Sequence, residues 1–235
     1  MEPAHRIDAF TDAAFAFAVS LLVVGAGGGA GGDVLRQTVA AIPAFAIGFA
    51  IIAMFWLAHV AWRRLRGPGD GRATVLTLLL VFVTLIYVVP LRAMATAFAD
   101  FLRGNPTDTA TAIGELFVIY GIGFCAMSVV TAFLFRDVLR ARDLPAATRQ
   151  AALGQVWIWS ILAWTGALST ILALFAATQL IAPWLYATLP LTVGLFAWQW
   201  DWSVADGRGT ARNPAGEPVL APDDVEAAPD DQRRA

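Results

Sequence analysis

Six long apolar segments dominate this sequence and limit what it can fold into. Each can form a helix of about 20 residues or more, which is the length needed to cross a hydrocarbon core about 30 Å thick. Charged residues make up only 14 % of the chain, against about a quarter of a soluble domain. The sequence therefore predicts an all-α, polytopic membrane protein with six transmembrane helices. The segments are Arg6–Ala26, Val34–Trp62, Ala73–Phe98, Thr111–Phe135, Gln150–Thr178 and Leu180–Trp200.

Arginines in the connecting loops indicate how these helices are oriented. Two loops carry eight arginines, whereas the opposite side carries Arg36 and Arg103, together with three aspartates. Loops rich in arginine remain in the cytoplasm. We therefore expect a multi-pass protein of the cell inner (plasma) membrane with cytoplasmic N- and C-termini. The eight arginines are Arg63, Arg64, Arg66 and Arg72 after the second segment, and Arg136, Arg140, Arg142 and Arg149 after the fourth.

The composition changes after residue 202. Residues 203–235 contain seven acidic residues and four arginines, among many prolines and alanines, whereas the preceding part has a net charge of +1. Such a segment cannot bury enough apolar surface to fold. The sequence predicts a six-helix transmembrane domain over residues 1–202 and a disordered acidic cytoplasmic tail over residues 203–235.

Several tryptophans stand near the ends of the apolar segments, where indole rings commonly anchor a helix at the membrane interface. This position predicts interfacial anchoring for Trp62, Trp184, Trp198, Trp200 and Trp202.

Asp12 is an acidic residue inside the first apolar segment. An ionisable group at membrane depth is costly, and it usually faces a protein interior or a water-filled path. Trp56 and His59 lie three residues apart on one face of the second segment, and both rings carry N–H donors that can satisfy a carboxylate. The pattern predicts a polar clamp on the first helix, a structural network without a role in transport, or a proton relay through His59.

One face of the first segment has a regular composition. Residues along it recur at three- and four-residue steps, so they share a helical face. In a symmetric assembly, apolar side chains could form a dry constriction and a hydroxyl ring could contact a partly dehydrated ion. Alternatively, the small residues of this helix could serve close helix packing. The face consists of Arg6, Phe10, Ala13, Phe17, Ser20 and Val24.

Enzymatic motifs are missing from the sequence. His5 and His59 are the only histidines, and the single Cys125 excludes an intrachain disulfide and a cysteine-based metal cluster. No nucleophile–base pair is visible. We expect no enzyme, no catalytic residue, no metal ligand and no cofactor.

The sequence Arg6-x-x-x-Phe10-Thr11-Asp12, followed by an apolar run, resembles the first-helix signature of the lysosomal-type potassium channel family, transmembrane protein 175. That signature usually reads R-x-x-x-F-S-D. The pair Trp56-x-x-His59 resembles the matching element of the second helix. The resemblance implies a prokaryotic single-repeat member, which is a six-helix subunit of a homotetrameric cation channel whose first helices line the pore.

The resemblance also implies roles for particular residues. The bulky aliphatic constriction of the family aligns with Phe17, its threonine layer with Ser20, and its next apolar layer with Val24. Thr11 replaces the common serine and keeps a hydroxyl, whereas Phe17 and Ser20 depart from the family pattern. The implied pore is lined by Ala13, Phe17, Ser20 and Val24 and is braced by Arg6, Phe10, Thr11, Asp12, Trp56 and His59.

The resulting expectation is a potassium-permeable cation channel with a hydrophobic constriction formed by its first helix. K⁺ is the expected permeant ion, and the expected partners are further copies of the chain, membrane lipids and monovalent cations, without nucleic acid. A proton-coupled transporter using Asp12 and His59 and a non-conducting membrane scaffold remain alternatives.

Overall fold

A computed structural model describes residues 3–23, 32–67, 71–102, 104, 110–141 and 144–200. Over these residues the regular structure is entirely α-helical, as predicted. Val24 and the acidic tail, both subjects of sequence predictions, lie outside the described residues. The helices are α1 (Pro3–Val23), α2 (Gly32–Arg66), α3 (Gly71–Leu102), α4 (Ala110–Val138), α5 (Ala146–Ala173), α6 (Ala182–Ala187) and α7 (Leu189–Gln199).

Four of these helices, α2 to α5, are long and apolar enough to cross a membrane within the described part of the chain. The chain therefore contains membrane-spanning helices, while the number six stays a prediction. The first helix carries Arg6, Asp8 and Asp12 in its N-terminal half. The last two have 6 and 11 residues, each less than the roughly 20 that a span requires.

The predicted sixth helix is divided at Thr188. Pro190 lies in the first turn of α7; it has no N–H to donate, and its ring would meet the carbonyl of Tyr186 in a continuous helix. Thr188 itself has φ −80° and ψ −15°, which is a helical conformation. The chain is thus interrupted here but keeps close to a helical path through α6 and α7.

The tightest helix contact joins α4 and α5. A Cβ atom added to Gly166 of α5 would lie 2.9 Å from the backbone nitrogen of Cys125 in α4. The absence of a side chain therefore lets the two backbones approach each other closely. Helix α3 packs on α4, α2 packs on α3 and α4, α1 packs on α2 and α3, and α6 and α7 pack on α5.

Aromatic side chains fill the space between these helices. The ring of Phe55 in α2 lies 6.0 Å from that of Phe124 in α4 and 5.1 Å from that of Trp159 in α5, measured between centroids. Tyr120 likewise contacts Tyr87 and Tyr186. Ring contacts thus bind α2, α3 and α6 to the α4–α5 pair.

The interfacial assignment of Trp62 is wrong, because its side chain is completely buried. Helix α2 continues to Arg66, so Trp62 lies inside the helix, one turn before its end. Its ring contacts that of His59, with 5.3 Å between centroids. Trp184 and Trp198 are by contrast 71 % and 82 % exposed, and their interfacial position stays a prediction.

Candidate functional site

One stripe of α1 is buried against the rest of the subunit. Its four residues follow one another at steps of four, three and four, which places them on a single helical face. This face fixes α1 to the helices beside it, chiefly α2 and α3. The stripe consists of Thr11, Phe15, Ala18 and Leu22.

The opposite face of α1 is uncovered. Ala13, Phe17 and Ser20 are exposed, and the exposed fraction of the Phe17 side chain is 58 %. Since each residue turns an α-helix by about 100°, these three lie roughly opposite the buried stripe. The residues predicted to line a pore therefore form the face that the described helices of one subunit leave open.

Two hydroxyl groups of α1 have different surroundings. Thr11 donates a hydrogen bond to the carbonyl of Ile7 at 2.8 Å and is completely buried. Ser20 donates to the carbonyl of Ala16 at 3.1 Å and is exposed. A hydroxyl oxygen that has given its proton to the helix still has lone pairs to accept with. On α1, Ser20 can offer these lone pairs to an ion or water at the uncovered face.

A hydrogen bond joins α1 to α2 at the signature residues. Trp56 donates from Nε1 to Oδ1 of Asp12 at 2.9 Å. Asp12 lies on the flank of α1, between the buried stripe and the uncovered face, by the same helical geometry. The bond therefore restrains the rotation of α1 about its own axis.

A second polar contact, missed at the level of sequence, supports the first. Arg63 donates from Nη2 to Oδ2 of Asp8 at 2.8 Å, and its Nε lies 2.7 Å from Oδ1. Asp8 precedes Asp12 by one helical turn, and Arg63 follows Trp56 by two turns. Because of these spacings, both pairs lie where α1 and α2 face each other. The spacing is the sequence signal that could have identified the second pair.

His59 has a partner other than Asp12. Its Nε2 lies 3.3 Å from Oγ1 of Thr77 in α3, and the ring is buried. Of the two donors proposed for Asp12, the structure thus assigns Trp56 to the carboxylate and directs His59 towards α3. Arg6 and Phe10 are exposed in the single subunit, so their bracing role stays a prediction.

Another ion cluster, also not predicted, joins the arginine-rich connections. The buried carboxylate of Asp137 in α4 contacts Nε of Arg66 at 3.0 Å and Nε of Arg72 at 3.4 Å. These arginines flank the connection between α2 and α3. The ends of α2 and α4 and the start of α3 therefore meet at one end of the bundle.

Comparison with known proteins agrees with the signature. The sequence model of the family described as endosomal/lysosomal potassium channel TMEM175 matches residues 6–90. This range comprises α1 from Arg6 onward, all of α2, and α3 up to Pro90. It includes every residue of the two motifs. Residues 6–90 thus carry the TMEM175 family sequence. The family resemblance is thereby confirmed, and the description of this family is that of an ion channel rather than an enzyme.

A curated relative and a solved structure extend the similarity. A protein of Marivirga tractuosa named "Potassium channel" is 29 % identical over 151 residues, which cover 59 % of this chain and 61 % of the relative. The chain thus matches less than two thirds of that relative's length. A crystal structure of a variant of the potassium channel MtTMEM175, in complex with a nanobody–MBP fusion protein, matches with a TM-score of 0.73. That match has 23 % sequence identity and covers 82 % of this chain and 91 % of the other, so it establishes the TMEM175 fold.

Proposed function

We propose that this chain is the subunit of a potassium-permeable cation channel of the plasma membrane, in which four copies surround a central pore lined by α1. Each subunit would cross the membrane six times, with α1 as the first span and α6 together with α7 as the last. The N- and C-termini would be cytoplasmic, since the arginine-rich end of the bundle carries the bias that marks that side.

The uncovered face of α1 is the observation that carries this proposal. Phe17 is exposed although the opposite stripe of the same helix is buried. Four copies of α1 around an axis would enclose these faces and place four Phe17 rings at one level. The two polar contacts to α2, made by Asp8 and Asp12, would hold each helix in the rotation that keeps Phe17 towards the axis.

The proposed path then has two successive layers. A narrow ring of phenyl groups at Phe17 resists water and ions, because an apolar constriction dewets easily. Ser20 lies about one turn further along α1, where four hydroxyl oxygens could contact an ion that has lost part of its hydration shell. Phe17 is therefore the proposed gate, and Ser20 is the proposed position that influences ion preference.

A proton-coupled transporter using Asp12 and His59 is less well supported by this geometry. Asp12 is bonded to Trp56, whereas His59 faces Thr77. A direct proton exchange between the carboxylate and the imidazole would require both side chains to change partners.

Recording from purified protein in a planar bilayer, with potassium on one side and sodium on the other, tests the proposed function. We expect discrete single-channel currents whose reversal potential shifts towards that of potassium. Flux that saturates with substrate concentration and depends on a pH gradient would instead establish a transporter, and the absence of both flux and conductance a scaffold. The detergent-corrected mass should correspond to four subunits; a stable monomer would contradict the shared pore.

A further inference from the structure

A groove runs along the outer surface of the α4–α5 pair. Its volume is about 360 Å³. Along α4 it extends from Cys125 to Arg136, a rise of about 16 Å at 1.5 Å per residue. Apart from Arg136, its wall is mostly apolar, and the hydroxyl of Ser160 is bonded to the carbonyl of Val156 at 2.6 Å. The groove is thus long and apolar, with one charged end at Arg136.

The dimensions of this groove suit a thin and flexible occupant. The groove is about 16 Å long and open to the outer surface, so an extended hydrocarbon chain can lie along it. Phe133 and Trp164 stand at the rim, and the Trp164 side chain is 76 % exposed. A hydrocarbon chain can lie between these rings, against the apolar wall of the groove.

The charged end of the groove is extended by two further arginines. Arg149 precedes the lining residue Val156 by seven residues within α5, so it continues the face that lines the groove. Arg140 lies in the turn that directly follows α4, four residues after Arg136. All three arginines are exposed. Arg136 belongs to the last turn of α4 and Arg149 to the first turns of α5. The groove thus leads from an apolar middle to three positive charges at the arginine-rich end of the bundle.

We propose that this groove binds one anionic phospholipid per subunit, with an acyl chain between α4 and α5 and the phosphate at Arg136, Arg140 and Arg149. Basic pockets between transmembrane helices on the cytoplasmic side bind anionic headgroups in this manner. The complementarity is twofold, since hydrocarbon meets the apolar wall and the phosphodiester meets guanidinium groups. The site lies on α4 and α5 and does not involve α1.

Lipid binding to the full-length protein in a neutral detergent tests the proposal. The probes are dioleoylphosphatidylglycerol, dioleoylphosphatidylcholine with the same chains, and glycerol 3-phosphate as a headgroup without chains. The readouts are lipid retention in native mass spectrometry and the shift of the thermal unfolding temperature. Arg136→Gln removes the charge at the groove. Arg64→Gln is the matched control, because Arg64 is an exposed arginine of the same end but lies on α2.

We expect one retained phosphatidylglycerol per subunit and a larger thermal shift with it than with phosphatidylcholine. Arg136→Gln should lower the apparent affinity about fivefold, the factor for one arginine near an anionic headgroup, and Arg64→Gln should leave it unchanged. Equal losses in both variants would overturn the proposal, since they would indicate only general attraction to positive charge. A full response to glycerol 3-phosphate would also overturn it, because free phosphate chemistry would then suffice.

Filling the groove tests the position of the chain separately. Ala163 lines the groove, so Ala163→Phe should abolish retention of the lipid. Ala93→Phe places the same ring at an exposed site of α3 and should retain it. If Ala163→Phe binds phosphatidylglycerol like the wild type, the acyl chain lies elsewhere. If the variant instead lowers the detergent-corrected mass of the lipid-free assembly, the groove is a contact between copies and the lipid proposal fails. Neither result depends on ion conduction.

Discussion

The α4–α5 pair and the first helix are held in the bundle in contrasting ways. The pair is joined by backbone proximity at Gly166, where a Cβ would meet the backbone of α4. It is also bridged by the ring of Phe55 in α2, which contacts Phe124 of α4 and Trp159 of α5. Helix α1 buries only one stripe and is secured at its flank by Asp8 and Asp12. The α4–α5 pair therefore forms a closely packed frame, whereas the rotation of α1 about its axis is set by a few polar contacts. In the proposed channel, these contacts would set the orientation of the pore-lining face of α1.

The largest effect should come from disturbing the close packing of α5 against α4 at Gly166. Gly166→Leu forces a branched side chain against the backbone of α4, and overpacking of a tight site costs about 1–3 kcal/mol or more. We expect poor expression or a large fall in thermal stability. Gly194→Leu is the control, because a Cβ at Gly194 of α7 meets nothing within 4 Å. The readouts are the monodisperse yield and the unfolding temperature. Similar behaviour of the two variants would show that the close approach of α4 and α5 is not what holds the frame.

A smaller effect should follow from removing the hydrogen bond between Trp56 and Asp12, which holds the flank of α1. Asp12→Ala leaves the indole N–H of Trp56 without its acceptor, which costs roughly 1–3 kcal/mol where the donor becomes buried. Asp12→Asn keeps a carbonyl oxygen and should lose less. Trp56→Phe removes the donor, so that combined with Asp12→Ala it should cost less than the sum of the single changes.

The measurements for this second prediction are thermal stability and the fraction of protein that remains assembled in detergent. We expect weaker assembly before any change in ion preference. If the stability losses of Asp12→Ala and Trp56→Phe simply add, and Asp12→Ala assembles like the wild type, the bond between these residues does not brace α1.

The four long helices, α2 to α5, were easier to predict from sequence than the candidate site. The long apolar runs gave the approximate limits of α2 to α5, because membrane-spanning helices leave a strong and local signal. The first helix was also predicted, with its periodic face from Phe10 to Ser20. Periodicity alone could not decide which face is buried, since Phe15 and Phe17 are equally apolar. Burial of Thr11 beside Phe15 depends on packing against α2 and α3, and no local pattern records it.

Contacts between distant residues were the least predictable part. Arg63 and Asp8 are separated by 55 positions, and either could have found other partners among the many arginines. Trp62 was misassigned because the apolar run ends there, whereas the helix continues through charged residues to Arg66. The division of the last helix had a local cause in Pro190, but a proline can also be accommodated inside a helix, as Pro43 and Pro90 are.

Conduction should respond to the uncovered face of α1 rather than to exposed rings in general. Phe17→Ala should widen and wet the proposed constriction, and Phe17→Asn should lower the dewetting barrier with less gain in width. We expect a higher single-channel conductance or open probability, largest for alanine. Phe82→Ala is the control, since Phe82 is an equally exposed ring on α3. If both Phe17 variants assemble and conduct like the wild type, the exposed face of α1 is a packing surface and not a gate.

The smallest effect should appear at Ser20, where only one oxygen per subunit changes. Ser20→Ala removes the hydroxyl that remains able to accept after bonding Ala16, with little gain in space. If this oxygen contacts the two ions with energies that differ by about 0.5–1.5 kcal/mol, the range of an ordinary hydrogen bond, its loss changes the potassium-to-sodium permeability ratio by about twofold to tenfold. Conductance should change little, in contrast to the Phe17 variants, and Ser20→Thr should keep the wild-type ratio because it retains the hydroxyl oxygen.

Ser128 makes the same bond to the carbonyl four residues earlier but is buried in α4, so Ser128→Ala should leave the ratio unaltered. Reversal potentials under asymmetric potassium and sodium measure all three. A ratio unchanged in Ser20→Ala would mean that permeating ions do not contact this hydroxyl, which would confine the influence of α1 to the apolar constriction.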